Sequence, residues 1–416
     1  MLPVQQAEQI IFNSVEPLNP ERDIEIVDLL EASGRILAQE ITSQLDFPHW
    51  DNSAMDGYAV RHTDIAECNA KNPAILEIIT EIPAGKSPEK SIQPGQAARI
   101  FTGAMMPKGA DTVVMQEVTQ REGNFVTILS ASAPQAFVRQ KGSYSKAGTP
   151  LLSPGINIGA TEIAVLASAQ CTQIPVYRRP VVAILSTGDE LVTPEQTLKP
   201  GQLVDSNQYA LATLVKQAGA VPQMLGIIPD DPEQLKNAIS QALTSADIVI
   251  SSGGVSVGDY DFVDRILSSL GGEIQIRAIA IKPGKPLTFA KFNLSKDRSP
   301  VLYFGLPGNP VSSLVTFWRF VQPAIEKLAG IQDFWQPKFV QAKTRHSLKS
   351  DGKRESYLWG QLHLVNGEYE FSLAGGTQNS GNLINLAQTN GLGVLPVGET
   401  LVNAGDFVQV LQVKNS

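Results

Sequence analysis

The spacing of hydrophobic residues changes along the chain, and three patterns follow one another. Near the start, apolar residues recur every three or four positions, which predicts that residues 1–45 are largely helical, including the stretch IVDLLEASGRILAQEI. From about residue 46, short β-like runs broken by glycine and proline predict a separate β-rich unit that ends near residue 145. Residues 146–177 return to a mixed pattern with one predicted helix, ATEIAVLASAQ.

Between residues 178 and 330, apolar runs rich in β-branched residues alternate with helical patterns. The runs PVVAIL, MLGII, DIVIS and VLYFG are continuously apolar, which is typical of strands that are buried on both faces. Helical segments such as SNQYALATLVKQAG separate these strands. The alternation predicts a mostly parallel sheet covered by helices on both sides. After about residue 335, short strands and turns return, and they predict a final β unit.

Composition and charge exclude several classes of protein. Of the 416 residues, 43% are hydrophobic and 18% are charged, which indicates a folded globular chain. At this length we expect about two to four domains. The net charge of −8 disfavours nucleic acid or an anionic membrane as a partner. Any attraction for phosphate must therefore be local, from helix N-termini, loop amides, a few lysines or a divalent metal ion.

Cysteine and histidine are sparse. Cys68 and Cys171 are far apart and form no C-x-x-C pattern, and the four histidines show no H-E-x-x-H spacing. We therefore expect neither a disulfide framework nor a zinc site. The N-terminal stretch lacks the features of a signal peptide, and no apolar run approaches the ~20 residues that span a bilayer. These features predict a cytoplasmic protein.

Polar loops follow five of the predicted strands. In an open α/β sheet, ligands bind at the carboxyl ends of the strands, so loops after parallel strands converge on one edge. The five loops contain glycines, hydroxyls, carboxylates and lysines: STGDE (186–190), PDD (229–231), SSGG (251–254), KPGKP (282–286) and GLPGNP (305–310). This mixture suits an anionic, phosphate-bearing ligand together with a hard cation. Each loop taken alone is equally compatible with an ordinary turn, an N-cap or a surface charge.

Two common nucleotide-binding signatures are missing. Gly253 and Gly258 have the spacing of a P-loop, but Asp259 occupies the position of the required lysine, and no G-x-G-x-x-G follows a strand. An unrelated nucleotide-dependent α/β enzyme is therefore disfavoured. Two more loops carry polar residues after apolar runs: WDNSAMDGYAV (50–60) contains Asp56, and RIFTGAMMPKGAD (99–111) contains Thr102. Turn chemistry is the alternative explanation for both.

In combination, these segments resemble a known family. The chain is similar to the molybdopterin molybdenumtransferases, the MoeA family that includes the E domain of gephyrin. The matching segments run in family order over nearly the whole chain: DNSAMDGYA (51–59), PAG (83–85), PGQAARIFTGAMMPKGADTVVMQE (94–117), STGDEL (186–191), DSN (205–207), SGGVSVGDYD (252–261), KPGKP (282–286) and GLPGNPVSS (305–313).

The resemblance implies a multidomain α/β plus β fold. Residues 1–45 and 146–177 would form a helical linker domain, and residues 46–145 an inserted β-rich domain. Residues 178–330 would form a three-layer α/β/α domain like the molybdopterin-binding fold, and residues 331–416 a small C-terminal β-barrel. The resemblance also implies a homodimer in which the α/β domain of one chain and the inserted domain of the other build each site.

The reaction implied by the resemblance belongs to molybdenum cofactor biosynthesis. Molybdate is inserted into adenylylated molybdopterin, AMP is released, and Mg²⁺ is required. Several phosphate charges must then meet a second dianion, so a cation held by carboxylates would offset their repulsion. The alternative is a protein of the same family that binds molybdopterin or serves as a scaffold without turnover.

The resemblance assigns roles to individual residues. Glu190, Asp230 and Asp261 would hold Mg²⁺ near the phosphoanhydride, while Lys282 and Lys285 would neutralise phosphate or molybdate oxygens. Asp56 and Thr102 of the partner chain would face the molybdate or pterin side. The catalytic set is thus Glu190, Asp56, Thr102, Asp261, Lys282 and Lys285. The remaining predicted binding residues are Ser252, Gly253, Gly254, Ser256, Gly258, Asp230, Pro307, Gly308, Asn309 and Ser380.

The sequence departs from the family pattern at two positions. In VRQKGSYSKAG (138–148), Arg139 and Gly142 remain, but Tyr144 occupies the position of an aspartate that the family uses in its site. In GKRESYLWGQL (352–362), Arg354 remains, but Trp359 stands where an arginine is common. Tyr144 is the feature that favours the non-catalytic alternative, whereas the retained carboxylates and lysines favour the enzyme.

Overall fold

A computed structural model gives the fold of the chain. It describes residues 1–253, 260–295, 298–376 and 378–413, with the backbone alone for residues 260–262. The α-helices are α1 Val4–Ser14, α2 Ala160–Ser168, α3 Asn207–Gln217, α4 Pro232–Ser245, α5 Tyr260–Ser269, α6 Pro310–Thr316 and α7 Gln322–Leu328. A π-helix, Phe317–Val321, joins α6 to α7. Short 3₁₀ helices cover His62–Asp64, Gln116–Val118 and Ile384–Leu386.

The strands fall into several sheets. The strands before α2 are β1 Ile24–Asp28, β2 Ile41–Thr42, β3 Asn52–Ser53, β4 Gly57–Val60, β5 Ala74–Ile82, β6 Gln96–Ile100, β7 Thr112–Met115, β8 Thr119–Glu122, β9 Phe125–Ile128, β10 Val138–Arg139 and β11 Pro150–Leu152. Those between α2 and α6 are β12 Gln173–Tyr177, β13 Val181–Thr187, β14 Leu191–Val192, β15 Leu203–Val204, β16 Val221–Ile228, β17 Ile248–Ser252, β18 Glu273–Ala278, β19 Ile281–Lys282, β20 Pro286–Phe292 and β21 Val301–Leu306. Those after α7 are β22 Phe339–Thr344, β23 Leu348–Lys349, β24 Glu355–Val365, β25 Glu368–Leu373, β26 Gly391–Leu395, β27 Leu401–Val402 and β28 Phe407–Gln412.

The chain divides into two compact units. One comprises Met1–Gln39, Pro154–Ile163 and Thr172–Ser416, and the other Glu40–Ser153 and Ala164–Cys171. The second unit is therefore an insertion into the first. The finer division into four domains stays a prediction. Among the helices of the described residues, none is long and apolar enough to cross a bilayer.

The central sheet of the first unit has the strand order β16-β13-β17-β21-β20-β18. Strands β16, β13, β17 and β21 are parallel, β20 is antiparallel to β21, and β18 is antiparallel to β20. β18 consequently runs in the same direction as the parallel strands. The prediction of a mostly parallel sheet is confirmed.

Alternate residues of β13 show why this sheet is covered on both faces. Val182 and Ile184 pack into one core with α3, α6 and α7, while Ala183 and Leu185 pack into another with α4 and α5. Because successive side chains of a strand point to opposite faces, a strand buried on both sides must be continuously apolar. The three-layer α/β/α arrangement follows from that run of residues.

The C-terminal strands close into a barrel. The order β24-β25-β22-β28-β26 is completed by pairing of β26 with β24. Phe371 lies at the centre of its core and is fully buried. The short strand β19 pairs in parallel with β24, so the segment that follows β18 is hydrogen-bonded to the barrel.

The second unit contains a mixed sheet with the strand order β7-β4-β6-β5-β9-β8. Its two faces bury separate apolar clusters, one around Tyr58 and Val114 and one around Ile82 and Ile100. Gly57 is required where β4 meets β7, because a Cβ there would lie 2.0 Å from the carbonyl oxygen of Val114. The predicted β-rich character of this region is confirmed.

The prediction that residues 1–45 are largely helical was wrong beyond α1. Ile24, Ile26 and Val27 belong to β1, which pairs antiparallel with β12. Gly34 then adopts a φ of 73°, which ends any helical path. The β-branched residues of β1 are partly or largely exposed, so strand pairing rather than an apolar helical stripe determines their structure.

Candidate active site

One cavity of about 910 Å³ lies at the carboxyl ends of the central strands. Residues from all five predicted strand-end loops line it, with the KPGKP loop contributing only Pro286, the first residue of β20: Thr187, Gly188, Glu190, Asp230, Ser252, Gly253, Pro286, Pro307, Gly308 and Asn309. Four parallel strands ending at the same edge bring these residues together. The predicted residues Gly254, Ser256 and Gly258 lie outside the described residues, as does the side chain of Asp261.

Asp230 is tied to the loop after β13. Its Oδ1 accepts a hydrogen bond of 2.6 Å from the Thr187 hydroxyl, and its backbone N–H donates over 3.1 Å to Oδ1 of Asp189. Glu190, two residues beyond Gly188, is exposed at the cavity. A Cβ on Gly188 would lie 2.6 Å from Oε2 of Glu190, so the carboxylate folds closely over that glycine. Two carboxylates therefore lie at neighbouring strand ends.

Asn207 connects three segments of the same cavity. Its Nδ2 donates to the Ser252 hydroxyl over 2.7 Å and to the carbonyl oxygen of Gly308 over 2.8 Å. Because that carbonyl only accepts, the amide nitrogen must face it. The sequence comparison matched Asn207 within DSN but assigned it no role. The signal was its place at the start of α3, directly after β15.

Gly253 allows the backbone to turn at the end of β17. Its φ is 96°, and a Cβ would lie 2.2 Å from the carbonyl oxygen of Thr187. Behind it, the hydroxyls of Ser251 and Tyr303 are 2.6 Å apart and both residues are buried. Burial raises the pKa of Tyr303 to about 12. The glycine and this buried pair hold the carboxyl end of β17 in place.

The donor set of the first cavity suits Mg²⁺. Glu190 and Asp230 offer carboxylate oxygens, and Mg²⁺ is commonly held by one or two carboxylates together with substrate phosphates. In the described part of the chain, no cluster of three histidine, cysteine or acidic side chains could hold a metal ion by itself. Glu190 and Asp230 therefore fit an ion that is also bound by a phosphate-bearing ligand.

A second cavity, of about 520 Å³, adjoins the first and shares Pro286 and Asn309 with it. Four cationic side chains line it: Lys282, Lys285, Lys349 and Arg354. Ser380 also lines it, and its hydroxyl accepts a long hydrogen bond of 3.5 Å from Nδ2 of Asn309. The sequence predicted acids and lysines in a single pocket. Among the described residues, Glu190 and Asp230 line the first cavity, whereas Lys282 and Lys285 line the second.

Lys282 already has an ionic partner. Its Nζ lies 2.9 Å from Oδ2 of Asp351, and both side chains are substantially exposed. The hydrogen bond from Lys282 lowers the pKa of the Asp351 carboxyl. Exposed ion pairs of this kind are weak, so an incoming anion can compete for the lysine. Asp351 lies 69 residues away from Lys282 along the chain, and no local pattern identifies it as the partner of this lysine.

In the second unit, Asp56 and Thr102 are directly paired. Oδ1 of Asp56 accepts from the Thr102 backbone N–H over 2.7 Å and from the Thr102 hydroxyl over 2.8 Å. These hydrogen bonds, the backbone one first, hold the pKa of Asp56 below its ordinary value. Tyr144, at the position of the missing aspartate, is 70% exposed. The unit thus presents an ionised carboxylate and a hydroxyl side by side.

Family models match three consecutive regions of the chain. The MoeA N-terminal region (domain I and II) matches residues 2–169, a probable molybdopterin binding domain matches residues 183–327, and the MoeA C-terminal region (domain IV) matches residues 341–413. Together they cover most of the sequence in a single order.

Curated relatives agree with these matches. The molybdopterin molybdenumtransferase of a Nostoc species is 60% identical over 99% of this chain and 93% of its own length. That of Haemophilus influenzae is 35% identical over 93% of each chain. A solved structure, the molybdopterin biosynthesis MoeA protein of Pyrococcus horikoshii, is 30% identical with a TM-score of 0.82 over the whole of both chains. By sequence, domain order and fold, the chain belongs to the MoeA family of molybdopterin molybdenumtransferases.

Proposed function

We propose that this chain is a molybdopterin molybdenumtransferase that acts in molybdenum cofactor biosynthesis. It takes adenylylated molybdopterin and molybdate as substrates and releases AMP. The observation that carries the proposal is the pair of adjoining cavities, one lined by carboxylates and glycine-rich loops and the other by four cations. Substrates that bring a phosphoanhydride and an oxyanion together need these two environments next to each other.

The first cavity is the proposed site of the phosphoanhydride. Ser252 and Gly253 end a parallel strand, where the loop backbone can approach phosphate oxygens closely. Glu190 and Asp230 would hold Mg²⁺ there, with Asp261 as the third predicted ligand. When bound, the ion supplies positive charge that offsets the phosphate charges. The chain's own part is to orient the anhydride and to hold the carboxylates in place through the Thr187–Asp230 hydrogen bond.

The second cavity is the proposed site of molybdate. Lys282, Lys285 and Arg354 offer positive charge without any acceptor, and Ser380 offers a hydroxyl. Pro286 and Asn309 line both cavities, so the two ligands would lie next to each other. Proximity of this kind lowers the entropic cost of bringing two reactants together.

We also propose that the working protein is a homodimer with shared sites, located in the cytoplasm. Asp56 and Thr102 of one chain would then act at the molybdate or pterin side of the other chain's cavities. Subunit exchange tests this arrangement: mixed Asp56→Asn and Glu190→Ala chains should regain activity, because some mixed dimers would carry one intact site. Absence of recovery after verified exchange contradicts shared sites.

AMP release tests the proposed reaction. Purified protein with adenylylated molybdopterin, molybdate and Mg²⁺ should release AMP, and chelation of Mg²⁺ should abolish release. Glu190→Ala should slow release by at least about tenfold, as expected for loss of a charged site residue. The exposed Glu195→Ala, five residues along the chain, serves as the matched control and should behave like the unmodified protein.

The competing function is binding without turnover, which the exposed Tyr144 favours. In that case the unmodified protein would bind adenylylated molybdopterin tightly but release no AMP at any Mg²⁺ concentration. Tyr144→Asp, which restores the family carboxylate, would then be the variant expected to gain activity. If the unmodified protein already turns over, the enzyme is established and the Tyr144→Asp change measures only efficiency.

A further inference from the structure

Strand β24 places two aromatic side chains, Tyr357 and Trp359, on the same face. They are two residues apart, and each is about 1% exposed. Tyr357 has partners for its polar atom: its hydroxyl accepts from Nε of Arg319 over 2.9 Å and donates to Oε1 of Glu355 over 2.6 Å. Trp359 differs, because its indole N–H has no hydrogen-bond partner among the described residues.

Among the described residues, the buried Trp318 also has an unpaired indole N–H, but only Trp359 of these two lines the cation-lined cavity. Buried polar groups are almost always hydrogen-bonded, and a buried indole nitrogen normally finds an acceptor. The nearby amide oxygen of Gln378 accepts a hydrogen bond of 3.3 Å from the backbone N–H of Trp359 and not from its indole N–H. A buried donor without a partner in the protein is a candidate to receive an acceptor from a ligand.

Trp359 is one of the residues that line the cation-lined second cavity. Lys282, Lys285, Lys349 and Arg354, which surround the same space, can only donate hydrogen bonds. A ligand that complements the indole N–H and these groups must consist mainly of acceptors and carry negative charge. A tetrahedral oxyanion has this composition.

We propose that Trp359 binds the oxyanion in the second cavity by donating its indole N–H to an oxyanion oxygen. This inference rests on the proposed function, and it adds a binding residue at a position where related proteins commonly carry arginine. Trp359 supplies a directed hydrogen bond without a charge. Recognition at this position then depends on the placement of an oxygen atom more than on the total charge of the anion.

Indole resonances provide the test, since the chain has four tryptophans, at positions 50, 318, 335 and 359. In ¹H–¹⁵N spectra of the full-length protein, the Trp359 indole signal is assigned by Trp→Phe substitutions at the other three positions. Titration with sodium molybdate should shift this signal saturably, whereas AMP, which we place in the first cavity, should shift it little. This measurement leaves Trp359 itself unchanged, so it does not depend on a variant folding.

Equilibrium dialysis with molybdate gives the second measurement. Trp359→Phe removes the N–H and keeps an aromatic ring, and it should weaken molybdate binding about tenfold, as for loss of a hydrogen bond to a charged group. Trp359→Arg should restore tight binding with a steeper dependence on salt. Trp50→Phe, at a 44% exposed site in the other unit, is the matched control and should bind as the unmodified protein does.

The outcomes separate this inference from the proposed function. If the unmodified protein binds molybdate but the Trp359 indole signal does not move, the inference is overturned and the proposed function is unaffected. Equal molybdate affinity of folded Trp359→Phe leads to the same conclusion. If the unmodified protein binds no molybdate while releasing AMP from its substrate, both the inference and the assignment of the second cavity are wrong.

Discussion

The side-chain amide of Asn207 donates a hydrogen bond to the hydroxyl of Ser252 over 2.7 Å and connects the start of α3 to the end of β17. The same nitrogen also donates to the carbonyl oxygen of Gly308. One buried side chain thus ties together three of the segments that line the first cavity. These two hydrogen bonds make Asn207 a positioning residue for the cavity.

Two substitutions of Asn207 should weaken nucleotide binding to different extents. Asn207→Ala leaves Ser252 and the Gly308 carbonyl without their donor, which should lower stability by about 1–3 kcal/mol and AMP affinity several-fold. Asn207→Asp should lower AMP affinity further, because a carboxylate cannot donate and repels phosphate. Calorimetric titration with AMP compares the affinities of the two variants. Asn13→Asp, at an exposed position of α1, makes the same change of charge and serves as a control. Equal AMP affinities for the two Asn207 variants would contradict the positioning role of Asn207.

Two glycines of the first cavity should differ sharply in their tolerance of alanine. A Cβ at Gly253 would lie 2.2 Å from the Thr187 carbonyl oxygen, and its φ of 96° is strained for alanine. At Gly308 the nearest atom would be 3.5 Å away, an ordinary contact. Gly253→Ala should therefore lower stability by about 1–3 kcal/mol and abolish AMP binding. Gly308→Ala is the matched control and should retain both, as measured by thermal unfolding and AMP titration.

The acidity of Asp56 should depend on Thr102. Thr102→Val removes the hydroxyl donor but keeps the backbone N–H, so the pKa of Asp56 should rise while staying below its ordinary value. With its pKa depressed by folding, Asp56 stabilises the folded chain above its unfolded-state pKa, and this contribution is lost as the pH falls through the folded value. Carboxyl-carbon NMR titration of Asp56 measures the shift. Thr63→Val serves as a control, and an unchanged Asp56 pKa in Thr102→Val would refute the effect of the hydroxyl.

Alkaline stability should report on the buried Tyr303. Its pKa is raised from 10.0 to about 12, so the folded state holds the phenol proton more tightly than the unfolded chain. The stability contributed by this group is complete below pH 10 and declines as the pH rises toward 12. Tyr303→Phe should flatten that decline and cost about 1 kcal/mol near neutral pH through loss of the hydrogen bond to Ser251. Urea unfolding measured from pH 8 to about pH 12 reports both effects, and Tyr144→Phe, at an exposed position, is the control.

Release of Lys282 from its ion pair should strengthen anion binding. Asp351→Asn removes the carboxylate that lies 2.9 Å from Nζ of Lys282 and leaves the lysine facing the second cavity. Molybdate affinity should rise about threefold, in line with the small free energy of an exposed pair. Equilibrium dialysis measures the change, and the exposed Asp333→Asn controls for net charge. A lower affinity in Asp351→Asn would mean that Asp351 itself helps to hold the ligand site together.

The sequence predicted those features of the fold that depend on local pattern. The uninterrupted apolar run of β13 indicated a strand covered on both faces, and loops after parallel strands must share an edge whatever lies between them. Gly253 could be identified as a turn residue from its place directly after an apolar run. By contrast, β1 was predicted as helix because its partner β12 lies about 150 residues later, and no local pattern reveals such a pairing.

The details of the candidate site depended on long-range contacts. Asn207 and Gly308 are 101 residues apart, so nothing in either segment shows that they are hydrogen-bonded. The division into two cavities was likewise invisible, because it requires β24 of the barrel to lie beside the loop that contains Lys282. Residue types at strand ends indicate the kind of chemistry, whereas three-dimensional neighbours determine which groups share a ligand.

The pairing of β19 with β24 means that the barrel builds one wall of the second cavity, while the first cavity is lined entirely by residues of the α/β region. Under the proposed function, loss of the C-terminal domain would remove a wall of the cation-lined cavity and leave Glu190 and Asp230 in place, so the chain would keep its nucleotide site but lose its oxyanion site.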